Sequence, residues 1–91
     1  MIKEEGKLKY KDKSGLIIET PIIEMNPFYS FIDILTIQGS QFVKYCYYFE
    51  KDEWYKYKPD PEDEDNMIVE PCQEEIVDFY FTTRLVKNEG N

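Results

Sequence analysis

The side chains best placed to do chemistry are carboxylates: nineteen Asp and Glu stand against eleven Lys and Arg, a net charge of −8. Twelve of the acids fall between residues 50 and 78: Glu50, Asp52, Glu53, Asp60, Glu62, Asp63, Glu64, Asp65, Glu70, Glu74, Glu75 and Asp78. With only Lys51, Lys56 and Lys58 among them, this stretch carries −9, while residues 1–13, 14–49 and 79–91 carry +2, −2 and +1. Such density repels itself, a cost a small fold tolerates where the charge serves solubility or recognition.

Carboxylates suggest three chemistries. The first is calcium binding, because hard cations take oxygen ligands. An EF-hand register starting at Asp63 puts Asp65 at position three and Glu74 at position twelve, but Met67 at five and Ile68 at six, so a ligand and the turn glycine are missing. The second is glycoside hydrolysis by paired carboxylates, which needs a substrate cleft that a 91-residue chain has little room for. The third is recognition. Acids at i and i+2 of a strand lie about 6.8 Å apart on one face, and duplex phosphates rise ~3.4 Å per nucleotide on each strand. An array of carboxylates on a folded sheet can therefore offer negative charge at phosphate-like spacing to a basic groove, gaining from steered association.

Other catalytic routes are thin. There is no histidine, so the commonest general base and metal ligand is absent. Cys46 and Cys72 lie far from any CxxC spacing and have no histidine to complete a zinc site or activate a thiolate. Free thiols in a reduced cytoplasmic protein are the expectation, with a Cys46–Cys72 disulfide as the alternative. The first residues do not form a signal-peptide pattern, and the apolar runs fall far short of the ~18 residues that suggest a membrane span. The chain is expected to be non-enzymatic, without cofactor or metal. Its acidity argues against direct nucleic-acid binding, which needs a basic footprint.

The elements positioning these acids are mostly strands. A 42% hydrophobic, 16% aromatic composition can build a core, and the length suits one domain, 1–91. Leu8–Tyr10, a turn at Ser14-Gly15 and the alternating run from Leu16 to Ile23 predict a hairpin whose second strand is an edge, bulged, or broken at Pro21. QFVKYCYYF (41–49) and WYKYK (54–58) predict a second hairpin; its Tyr45, Tyr47, Tyr48, Trp54, Tyr55 and Tyr57 can pack on one face and meet a partner on the other. PDPEDEDN (59–66) reads as an exposed acidic loop, Met67–Val69 as a short strand halted by Pro71, and 76–86 as a half-buried strand at period two. Residues 87–91 are expected to fray.

Residues 27–38 carry conflicting signals. Asn26, Pro27 and Gly39 bracket them as a helix is bracketed, and Phe28, Phe31, Ile32 and Leu35 would share one helical face. The residues themselves favour strand, and a strand turning at Gln38, Gly39 and Ser40 is the alternative. The expected fold is α+β, a small domain of mainly antiparallel sheet with one helix near 27–38.

The Lys-rich start (IKEEGKLKYKDK), the Tyr-rich middle (KYCYYFEKDEWYKYK) and PDPEDEDN together resemble the small acidic DNA-mimic inhibitors of bacterial viruses, the Arn family of anti-restriction nuclease proteins from T-even coliphages. The resemblance implies a homodimer whose negative surface imitates duplex DNA and blocks a restriction endonuclease directed at modified cytosine, with nucleoid-associated proteins as further targets. It transfers no individual residue, so the twelve acids above are the partner-binding candidates on charge alone. Two rival expectations are an immunity protein neutralising a nuclease toxin through buried aromatics, and a structural protein whose acidity serves solubility.

Overall fold

A computed structural model describes residues 2–85. Seven strands are present: β1 (Ile2–Lys11), β2 (Ile17–Pro27), β3 (Phe31–Gln38), β4 (Gln41–Tyr48), β5 (Glu53–Asp60), β6 (Asp63–Pro71) and β7 (Glu75–Leu85). They form one antiparallel sheet in the order β6-β5-β4-β3-β2-β1-β7. No helix occurs among the described residues, and so none long and apolar enough to cross a membrane. The 87–91 stretch, expected to fray, lies outside them.

The α+β expectation is thus corrected to all-β, because the helix expected at 27–38 is a strand. Pro27 ends β2 instead of opening a helix, and β3 pairs along its full length with β4, from Phe31↔Tyr48 to Gln38↔Gln41. The β-branched and aromatic content prevails because period-two burial becomes available: Ile34 and Thr36 are fully buried on the inner side, beside Ile32. Gly39, at φ +65°, opens the two-residue Gly39-Ser40 turn as a hairpin of this length requires.

The sheet must curl. Laid flat, its outer strands β6 and β7 would stand ~29 Å apart at the usual strand spacing, yet only residues 72–74 join them, spanning at most about 14 Å from Pro71 to Glu75. β2 makes the corner. Up to Pro21 it pairs with β1 (Lys7↔Pro21 to Lys11↔Ile17), and from Ile22 onward with β3 (Ile22↔Thr36), with a register shift between Ile22 and Glu24. Pro21 has no amide hydrogen for a ladder, and a bulge next to it bends the strand. The Cys72 amide donates to the Trp54 carbonyl (3.0 Å), fastening the β6–β7 connection to β5.

Inside the curl Leu8, Tyr10, Ile22, Ile34 and Tyr45 form the buried core, flanked by Ile18, Met25, Val43, Trp54, Ile76, Phe79 and Phe81. Its polar members are all partnered: the Gln38 amide donates to Tyr45 Oη (2.9 Å), Thr36 Oγ1 to the Val43 carbonyl (2.8 Å) and Thr20 Oγ1 to the Ile37 carbonyl (2.7 Å). Burial, only partly offset by Gln38, pushes the Tyr45 phenol well above its ordinary range. Gly6 faces Phe81 across β1 and β7 so closely that a Cβ would meet the Tyr80 carbonyl oxygen and lie 2.8 Å from the Phe81 ring.

Candidate functional site

The twelve acids do not share one face. β5 divides them: Glu50, Asp52 and Glu53 sit at its start and in the turn before it, while Asp60, Glu62, Asp63, Glu64 and Asp65 surround the turn after it. Eight residues of strand separate the groups by ~23 Å. Glu70, Glu74, Glu75 and Asp78 lie on β6, the β6–β7 connection and β7.

Lysine pairing sorts them further. Glu74 Oε1 holds Lys56 Nζ at 2.8 Å, Glu70 Oε2 holds Lys58 Nζ at 2.8 Å, and Glu75 Oε2 lies 3.8 Å from Lys11 Nζ. Burial works against the Glu74 charge, but Lys56, its own backbone amide and the Cys72 thiol outweigh it and keep this carboxyl below the ordinary glutamate range. The other nine candidates have no lysine at ion-pair distance among the described residues, so the uncompensated charge sits at the two ends of β5 and on Asp78.

At the far end of β5, residues 59–66 are not the loop expected from their composition. They form the close of β5, a tight Pro61-Glu62 turn and the start of β6, with Asp60 opposite Asp63. Proline second after an aspartate suits such a turn. Local hydrogen bonds replace the missing core contacts: Asp60 Oδ1 accepts from the Glu62 amide (2.9 Å), and Asp63 accepts from the Asp65 amide (3.2 Å) and the Asn66 side chain. Five carboxylates are thereby carried on an ordered hairpin tip.

The near end combines acids with aromatic rings. Tyr47 stacks on Trp54 (centroids 4.6 Å), and Phe79 of β7 meets both edge-on, at 5.4 Å from Trp54 and 6.2 Å from Tyr47. These rings, with Ile76 and Val77, line a recess of about 310 Å³ rimmed by Asp52 and Asp78. Asp52 occupies a left-handed conformation (φ 52°) and accepts the Tyr47 hydroxyl at 2.8 Å, a bond that with the carboxylate's charge raises the Tyr47 phenol above its ordinary range. Asp78 Oδ1 accepts the Phe79 amide (2.8 Å).

The recess depends on an irregularity. The β1–β7 register shifts at Lys9/Tyr10, placing Asp78 opposite Lys9 but Ile76 opposite Tyr10, so Ile76 and Phe79 both pack against the core while Val77 is exposed. The strict alternation expected over 76–86, with Val77 on the face of Phe79 and Ile76 on the opposite one, fails at this bulge. Phe79 was legible in sequence only as a strand residue, and nothing local marked it as a neighbour of Trp54.

The tyrosine-rich hairpin carries rings on both faces. Tyr45, Tyr47 and Trp54 point inward, while on the outer face Phe28, Phe31, Tyr48 and Tyr55 form a chain of ring contacts at 4.7, 5.4 and 5.4 Å. On that face Tyr57 Oη donates to Asp33 Oδ1 (2.8 Å) and Cys46 is fully covered. Cys46 and Cys72 are both free; burial, chiefly, raises both thiols, that of Cys72 to about 11 with Glu74 adding to the effect, so neither is primed as a nucleophile. No three Asp, Glu or Cys side chains converge as a metal site among the described residues.

Compared with protein-family models, with curated proteins and with solved structures, the chain matches none.

Proposed function

We propose that this protein is a non-catalytic DNA-mimic inhibitor whose acidic ends occupy the DNA-binding site of a basic host protein, a restriction endonuclease or a nucleoid-associated protein, in the host-cell cytoplasm. The observation that carries the reading is the segregation of carboxylates with no lysine at ion-pair distance, among the described residues, to the two ends of β5, ~23 Å apart. That separation spans ~7 base pairs of duplex at 3.4 Å each. Occlusion by such a surface is competitive and salt-sensitive, since the partner's basic groove can hold the carboxylates or the phosphates but not both. The resemblance to the Arn family adds the homodimer and the anti-restriction role to this reading.

The deciding experiment is displacement of a fluorescent duplex from a restriction endonuclease directed at modified cytosine, and from a nucleoid-associated protein, at several salt concentrations. The expected result is displacement that weakens steeply with salt. Failure to displace duplex from either partner class at low salt overturns the reading. An immunity-type inhibitor is the second reading, favoured by the Tyr47–Trp54–Phe79 cluster as an aromatic anchor. It predicts one nuclease held at high salt, and a Trp54→Ala variant that loses that complex while remaining folded.

A further inference from the structure

We propose that the recess between Trp54 and β7 is a seat for one cationic side chain, an arginine guanidinium or lysine ammonium group of the partner. The proposal deepens the inhibitor reading, resting on it only in assigning the cation to a basic partner.

Three features of the recess point to a cation. Its walls include the rings of Tyr47, Trp54 and Phe79, and a cation within about 6 Å of such a ring is drawn to the negative π-face, most strongly by tryptophan. Its rim carries two carboxylates brought together from residues 52 and 78, each fixed by a hydrogen bond and neither paired with a lysine among the described residues. Lys51, although adjacent to Asp52 in sequence, lines a separate recess with Tyr48, Glu53, Tyr55 and Val69. A guanidinium entering this recess could stack on an aromatic ring and donate to a carboxylate, the two contacts its planar fork makes best. The acids around 60–65 lack this second component, for no aromatic ring joins their turn.

Trp54, the single tryptophan, reports directly on the seat. The test is a titration of the purified protein with N-acetyl-arginine amide, followed by tryptophan emission and by the backbone amide resonances of residues 52, 78 and 79, with N-acetyl-citrulline amide as the uncharged isostere. Asp52→Asn and Asp78→Asn suit the comparison because asparagine tolerates the left-handed backbone at 52 and keeps an acceptor oxygen at both sites. The expected result is a saturable change with the arginine compound, little with citrulline, and at least fivefold weaker binding in the double Asn variant. Neutralising Asp60, Glu62, Asp63, Glu64 and Asp65 together should leave arginine binding within twofold. A linear, non-saturating response, an equal response to citrulline, or an equal loss when the distant tip is neutralised overturns the seat. The resonances of the unaltered protein decide the matter even if a variant misfolds. Arginine binding without duplex displacement would overturn the inhibitor reading and leave the seat standing; displacement without arginine binding would do the reverse.

Discussion

The wall formed by β7, β1 and β2 and the wall formed by β4, β5 and β6 belong to one sheet but treat charge in opposite ways. On the first, the lysines of β1 alternate along the strand, and acids of the neighbouring strands meet them: Glu19 lies 2.6 Å from Lys7 and 4.0 Å from Lys9, and Glu75 lies near Lys11. On the second, Lys56 and Lys58 are taken up by Glu74 and Glu70, and the acids at both ends of β5 have no lysine at ion-pair distance among the described residues. A lysine at ion-pair distance ties a carboxylate to the protein itself, and the acids in and beside the two turns of β5 have no such tie among the described residues. The contrast is one of pairing: the first wall's β1 lysines meet cross-strand acids, while acids without a lysine at ion-pair distance gather at the ends of β5, with Asp78 of β7 the exception on the first wall.

The contrast can be broken most severely at Gly6. A Gly6→Ala methyl would collide with the β7 backbone and the Phe81 ring, and overpacking of this kind is expected to cost about 3 kcal/mol. Urea unfolding measures it, and a loss below about 1 kcal/mol would mean the two strands can separate freely. Neutralising the five acids at 60–65 should act on the other wall in the opposite sense. Affinity for a basic partner is expected to fall at least tenfold, equivalent to about 1.4 kcal/mol, with the salt dependence flattened. Stability should hold or rise as self-repulsion is relieved, provided asparagine at 60 and 63 keeps the turn hydrogen bonds. Unchanged affinity in the same displacement assay would remove this tip from the inhibitor surface.

Glu74 lies where the walls meet. Because its carboxyl titrates below the ordinary glutamate range in the folded protein, its contribution is present above the unfolded value near 4.5 and lost as pH falls through the lower folded value. Glu74→Gln should therefore remove about 1 kcal/mol at neutral pH and make the acid limb of a stability-against-pH curve shallower. An acid limb identical to that of the unaltered protein would show that the Lys56 pair contributes nothing. The smallest effect is expected at Glu19, whose partners are solvent-exposed lysines: Glu19→Gln should leave the urea midpoint essentially unmoved at physiological salt. A clear drop there would give the first wall's charge pairs a larger role than exposed ion pairs ordinarily have.

Much of the fold was legible because its signals are local. Gly15, at positive φ, marks the turn expected at Ser14-Gly15; Gly39, also at positive φ, marks the turn of the alternative strand reading, not the end of a helix; and of the outcomes expected at Pro21 the bulge is found beside it, where β2 changes partners. The alternation of Ile18, Thr20 and Ile22 reads directly as an inner face. The 27–38 segment misled because Asn, Pro and Gly bracket a strand between turns as readily as a helix; only pairing with β4 decides between them. Residues 59–66 misled because composition registers the missing apolar side chains but not the hydrogen bonds by which Asp60 and Asp63 shape a hairpin tip.

The sequence by itself determined the excess of negative charge, its concentration between residues 50 and 78, the absence of histidine, and the residue types suited to turns and strands, since each is a property of composition or near neighbours. Only the tertiary structure decided which acids are spent on lysines, that β5 holds two acidic groups apart, and that Asp52 and Asp78 meet around Trp54. Those outcomes depend on strand register, on the β7 bulge and on the curl imposed by a three-residue connection, and each arises from pairings between residues far apart along the chain.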